Sequence, residues 1–284
     1  MTYRIAAVSF LNTWPLIDAL EELAPDRVRL TSAVPSDLPE LLHADEADAA
    51  LIPVVEWFRG AGAAIVPGVA LATHGPVDSV KLFSRVPPTE IGDVVVDRGS
   101  RTSVALLRIL FADLYGVQPD FRVDVPQVET LLDEHEAALV IGDRCFAAEK
   151  RFRDEGRDDV HIVDLGETWR QMTGLPFVFA VWVLGRGFVA RAQAAERDGL
   201  VALLRESRDV GLTRVDRLAA RAAAEGRLGP GGECSTAAFA AYFRRSMCYR
   251  LGDAELAGLH RFHTLCVRHQ IVPPGRDADP ICAE

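Results

Sequence analysis

In the first half of the chain, short apolar runs alternate with amphipathic stretches. Residues 3–9 read as a strand and 15–22 as a short helix, with Pro15 pre-set for its first turn. Residues 28–33 form a second strand, and Ser36 or Asp37 then caps a helix running to about His43. Residues 49–53 are a short buried strand, and 65–67, 69–73 and 77–84 extend the same sheet. Pro87-Pro88 breaks the pattern, after which the rhythm restarts. Strands are expected at 93–96, 121–125, 137–141, 161–164 and 177–185, with helices at 102–115, 128–134 and 143–150. From Phe188 onward the pattern is helical throughout: 188–210, 215–225, 235–244 and 253–269.

Two βα series with short connections predict an α/β protein with two lobes. The chain crosses to the second lobe near Arg85 and returns near Trp182. Lobe 1 is then 1–85 plus 182–284, lobe 2 is the inserted 86–181, and the cleft between them is the expected ligand site.

Charge and cysteines narrow the partners. The 284 residues hold 31 basic and 41 acidic side chains, a formal charge of −10. A nucleic-acid binder relying on counterion release is disfavoured, because no Lys/Arg block offsets that balance. No apolar run approaches the ~18 residues of a membrane span. The first residues lack a basic segment followed by an apolar one, and the five cysteines form no C-x-x-C pair. The expectation is a cytoplasmic protein with reduced thiols, acting on a small molecule; oligomeric state is left open.

Candidate chemistry gathers at strand ends, where open α/β sheets bind ligands. Ser9-Phe-Leu-Asn-Thr-Trp-Pro-Leu follows the first strand, with Ser9 and Asn12 as neutral hydrogen-bonding groups; a helix-capping Asn-Thr loop is the plainer alternative. In Asp97-Arg-Gly-Ser-Arg-Thr-Ser-Val, the hydroxyls of Ser100, Thr102 and Ser103 cluster with Arg101 at a helix start, a ready anion site. Without a G-x-x-x-x-G-K spacing, a carboxylate suits it better than a polyphosphate, and a well-capped helix is again the alternative. Gly75-Pro-Val-Asp-Ser leads into a strand with Ser79, Lys81, Phe83 and Arg85 on one face. Val140-Ile-Gly-Asp repeats the strand-end arrangement: Gly142 allows close backbone approach, and Asp143 is the nearest acid, or simply a helix-start acid favoured by the dipole. His260, His263, Cys266 and His269, at steps of three, spread over half a helix circumference and do not converge on a metal. No metal or cofactor is expected.

Ser9-Phe-Leu-Asn-Thr-Trp-Pro-Leu, Gly75-Pro-Val-x-Ser, Ser100-Arg-Thr-Ser-Val, Val140-Ile-Gly-Asp and Thr173-Gly-Leu-Pro-Phe-Val-Phe-Ala-Val-Trp together resemble the chorismate dehydratases of the futalosine route to menaquinone. The resemblance covers nearly the whole chain. It implies a periplasmic-binding-protein type II-like fold, with mixed sheets, flanking helices and a helical C-terminal region. It also implies a lyase that removes water from chorismate to give 3-[(1-carboxyvinyl)oxy]benzoate. In that family the substrate's own enolpyruvyl carboxylate is thought to take the proton, steered by the asparagine that matches Asn12. Asp143 is the competing base. The related 1,4-dihydroxy-6-naphthoate synthases resemble the chain less, having a histidine proton acceptor near the position of Gly142. A non-catalytic cytoplasmic solute binder and a ligand-sensing regulatory domain are the rival classes.

Overall fold

The structure is a computed structural model describing residues 2–124, 127, 130 and 132–274. Val125, residues 128, 129 and 131, and Cys282 fall outside the described residues, and the described part of the helix expected over 128–134 is turn rather than helix. Among the described residues, ten strands appear in chain order: β1 (Tyr3–Ala7), β2 (Val28–Ser32), β3 (Ala49–Pro53), β4 (Ala64–Thr73), β5 (Val80–Ser84), β6 (Asp93–Asp97), β7 (Asp120–Asp124), β8 (Ala137–Ile141), β9 (His161–Asp164) and β10 (Phe177–Leu184).

The chain divides into two compact units, each discontinuous in sequence and each built on one five-stranded sheet. The first comprises Met1–Ala72, Phe177–Val215 and Cys248–Glu284. Its sheet has the order β2-β1-β3-β10-β4; β1 runs parallel to β2 and β3, whereas β10 is antiparallel to β3. The central strand β3 is buried along its whole length, as an apolar run covered on both faces should be. Edge strand β2 is largely open, and carries Arg29 and Thr31. Phe177 packs edge-on against Phe262 at 4.9 Å between centroids, extending a core that includes Trp57, Phe58 and Trp182.

One close approach sets the loop after β1. Helix Ala194–Thr213 crosses the short helix Trp14–Ile17 so tightly that a Cβ on Gly211 would lie 1.9 Å from the Pro15 carbonyl oxygen. The buried Ser207 hydroxyl donates to the Leu16 carbonyl at 2.7 Å in the same contact. The expected helix over 188–210 is two helices, Arg186–Arg191 and Ala194–Thr213. Gln193 and Glu196 start the second with a reciprocal capping box.

The second unit comprises Thr73–Pro176 and Asp216–Met247. Its sheet has the order β7-β6-β8-β5-β9, with β6 parallel to β7 and β8, and β5 antiparallel to both β8 and β9. Phe83, Val95, Val140, Cys145 and Phe152 form its core beneath helix Arg144–Asp154. Helix Leu165–Thr173 was not expected; Asp164 caps it by accepting from the Glu167 amide at 3.0 Å.

These units correct the expected lobe boundaries of 1–85 plus 182–284 and 86–181. Residues 77–84 do not extend the first sheet, because β5 lies between β8 and β9. Pro87-Pro88 marks only the turn after β5. The segment 216–247 packs with the second unit, where the Tyr242 ring meets Phe146 edge-on at 5.3 Å. An amphipathic pattern gives a helix a buried face but does not say which sheet will cover it. The four described cysteines are all free thiols. Among the described residues no helix is long and apolar enough to cross a membrane.

Candidate functional site

Strands β6 and β8 are parallel neighbours, so their carboxyl ends open side by side. β6 leads through 98–101 into helix Thr102–Leu110, and β8 leads through Gly142 and Asp143 into helix Arg144–Asp154. Two helix N-termini are thereby brought to one edge of the sheet, each contributing unsatisfied amides and a partial positive charge. An ion pair between Arg144 and Asp97 joins the two connections.

Ser100, Thr102 and Ser103 are brought together here and are buried, with 6%, 3% and 6% of their surface exposed. Helix Thr102–Leu110 starts at Arg101 with no side-chain cap, so the well-capped-helix alternative is not what forms. The Ser100 hydroxyl oxygen is buried without a hydrogen-bond partner among the described residues. A buried polar atom left in that state is costly unless a ligand completes it. Arg101 is exposed.

Gly142 has φ +70°, the left-handed region that disfavours side chains, and its amide donates to the Ser79 carbonyl at 2.8 Å. Ser79 itself is fully buried and its hydroxyl is already engaged. Tyr242 donates to the Ser79 oxygen at 2.8 Å, and the Ser79 hydroxyl lies 3.3 Å from the Val77 carbonyl. These bonds tie Tyr242 to Ser79, just ahead of β5. Asp143 heads its helix without a side-chain cap, and Oδ2 instead accepts from Arg227 Nη1 at 2.9 Å.

In the first unit, Asn12 sits in the 3₁₀ turn Leu11–Thr13 that follows β1. Thr13 braces this turn, its hydroxyl lying 2.8 Å from the carbonyls of both Val8 and Phe10. Asn12 is half-buried, and its Oδ1 is buried without a hydrogen-bond partner among the described residues. Asn12 therefore does not cap the adjoining helix. Ser9 is exposed.

The second unit also holds a charge cluster around the buried Lys81 that sequence reasoning missed. Lys81 Nζ is 2.5 Å from Glu149 Oε1 and 3.6 Å from Asp78 Oδ1. Burial pulls the Lys81 ammonium down, but Glu149, Asp78 and Asp164 outweigh it and hold it above its usual value. Burial pushes the Asp164 carboxyl up, against the amides of Glu167, Val77 and Asp78 that favour its charge. Arg144 was also missed, yet its sequence held a signal: a cation in a helix's first turn opposes the dipole. Arg227, which holds Asp143, gave none. The four residues of the 260–269 series do not converge: His260 is exposed, the His263 ring packs on Phe58 at 4.6 Å, and burial raises the Cys266 thiol to about 12.

The architecture is that of the periplasmic-binding-protein fold. An Archaeoglobus fulgidus protein superposes with a TM-score of 0.71 at 14% identity, covering 95% of this chain and 98% of that one. The periplasmic aliphatic sulphonate binding protein of Escherichia coli superposes with a TM-score of 0.63 at 16% identity, covering 100% and 94%. The family model described as menaquinone biosynthesis matches residues 3–268, and the chain belongs to that family. A protein named chorismate dehydratase from Thermus thermophilus is 32% identical over 202 residues, 67% of this chain and 72% of that protein.

Proposed function

We propose that this protein is a chorismate dehydratase, a hydro-lyase acting in the cytoplasm on the way to menaquinone. The observation that carries this reading is the 32% identity to the Thermus thermophilus chorismate dehydratase over two thirds of the chain. The reaction breaks the C3–H and C4–O bonds of chorismate, forms a ring double bond between C3 and C4, and releases water. Aromatisation supplies the driving force, so the protein's task is to position groups and exclude water.

In this reading the hydroxyls of Ser100, Thr102 and Ser103, with the helix amides behind them, anchor a substrate carboxylate. Arg101 adds charge from the exposed side, and the Gly142 turn lets the ligand approach the backbone. Ser9, exposed just ahead of the Asn12 turn, adds a further hydroxyl contact. Asn12 orients the substrate through its carboxamide, whose buried oxygen takes a hydroxyl proton donor. The proton leaves C3 for the substrate's own enolpyruvyl carboxylate. Asp143 is held by Arg227 and is the poorer base. No histidine stands at Gly142, which disfavours a naphthoate synthase.

Incubating the purified protein with chorismate tests this directly. The expected result is loss of the diene absorbance and a product lighter than chorismate by one water. Unchanged chorismate after prolonged incubation overturns it.

A further inference from the structure

Within the second unit, a cavity of about 480 Å³ opens between Pro76 and Asp78 on one side and residues 230–246 on the other. That volume lies in the range of small-molecule sites. Its walls are mainly apolar, built by Pro76, Pro230, Ala238, Ala241 and the Tyr242 ring. Two opposite charges, Glu233 and Arg245, line it. They do not pair with each other. Among the described residues Arg245 makes no ion pair or hydrogen bond, and Glu233 meets only the Ser235 hydroxyl, at 3.5 Å. The cavity thus presents one cation and one anion that neighbouring side chains leave available, unlike Arg244 beside it, which pairs with Asp216 at 2.8 Å.

The wall itself is held in an uncommon conformation. Asp78 is a non-glycine residue at φ +60°, and the Ser246 hydroxyl fixes its carboxylate at 2.5 Å. Tyr242 and Ser246 bound a π-helical turn, Tyr242–Ser246, which also carries Arg245. Strained backbone and π turns both concentrate at functional sites, because the wider turn and the left-handed residue cost stability. None of these residues has a role in the dehydration proposed above.

We infer that this cavity is a second small-molecule site, for an apolar amino acid in its zwitterionic form. Arg245 takes the carboxylate, Glu233 takes the ammonium, and the proline and alanine walls cover the side chain. A molecule carrying both charges meets both side chains, whereas one carrying either alone leaves a partner unmet.

Calorimetric titration of the full chain with L-phenylalanine, 3-phenylpropionate and 2-phenylethylamine tests this, the last two each lacking one charge. Saturable binding of phenylalanine is expected, with each truncated probe about tenfold weaker or worse. Arg245→Ala should weaken phenylalanine and 3-phenylpropionate but leave 2-phenylethylamine unchanged, and Glu233→Gln should do the converse. Both residues are exposed, so the variants should unfold at the wild-type temperature. The proposal is overturned by no saturable binding of phenylalanine up to roughly 10 mM, or by phenylalanine affinity unchanged in both variants.

Discussion

Arg227 holds Asp143 across 84 positions of sequence, its Nη1 donating to Oδ2 at 2.9 Å. The pair links the start of helix Arg144–Asp154 to the segment following helix Val215–Ala224, and so joins two stretches the sequence assigned to different lobes. It also changes the chemistry open to Asp143. A carboxylate that accepts from a guanidinium is a weaker base than an unengaged one.

Asp143→Asn should accordingly keep turnover within about tenfold of wild type, since a general base is worth ~10²–10⁴-fold. Steady-state kinetics across pH check this. A drop beyond 10³-fold, with loss of the acid limb of the profile, makes Asp143 the base.

Ser100→Ala should act in opposite directions on folding and binding. The hydroxyl oxygen is buried without a partner, so removing it costs the unliganded protein nothing and stabilises it by up to ~1 kcal/mol. The same change should raise the KM for chorismate, and Thr102→Val with Ser103→Ala should weaken binding by ~1–3 kcal/mol. Urea denaturation alongside kinetics gives both readings. Destabilisation above ~2 kcal/mol with an unchanged KM would mean the hydroxyl is a structural group.

Much of the scaffold was legible because buried central strands are short, apolar and bounded by turn residues. β3 and β8 fall on the expected bounds for that reason. Sheet membership was not legible. Nothing in the Val80–Ser84 run distinguishes a strand ending the first sheet from one at the centre of the second, as the difference lies in partners over 50 residues away. The candidate site shows the same divide. Strand-end hydroxyls and glycines are local features, and Ser100, Thr102, Ser103 and Gly142 do converge at one sheet edge. The bond between Tyr242 and Ser79 left no local signal, because the two lie 163 positions apart.

The Lys81–Glu149 pair should be a strong stability determinant with a defined pH window. Only two of the 31 basic residues are lysines, and Lys81 is the buried one, where a compact ammonium fits between carboxylates. Lys81→Met should cost ~2–3 kcal/mol by leaving the half-buried Glu149 unpaired, and adding Glu149→Leu should restore most of it. The folded-state pKa of Lys81 is raised, so its contribution is fully present below the usual lysine value of 10.5 and is lost as pH climbs through the higher folded value. The stability gap between wild type and Lys81→Met should therefore be constant from pH 7 to 9 and narrow in strong alkali. A gap that widens with alkali contradicts the assigned sign.

Asn12→Asp separates substrate orientation from simple capping. The substitution keeps the shape of the side chain but replaces an amide, with two donors, by an acceptor-only carboxylate. Asn12 makes no cap bond in the Leu11–Thr13 turn, so folding stability should move by less than ~1 kcal/mol. Chorismate is a dianion, and the new charge would repel the carboxylate that the amide steers while the Ser100–Ser103 anchor still binds. The expected outcome is a kcat lower by ~10²-fold or more with a much smaller change in KM, since small misplacements of a reacting group cost that much. Asn12→Ala should bring a smaller loss than Asn12→Asp, because it removes the donor without adding the charge. Near-normal turnover in Asn12→Asp, together with inactivity in Asp143→Asn, would overturn the substrate-assisted route and return the base to Asp143.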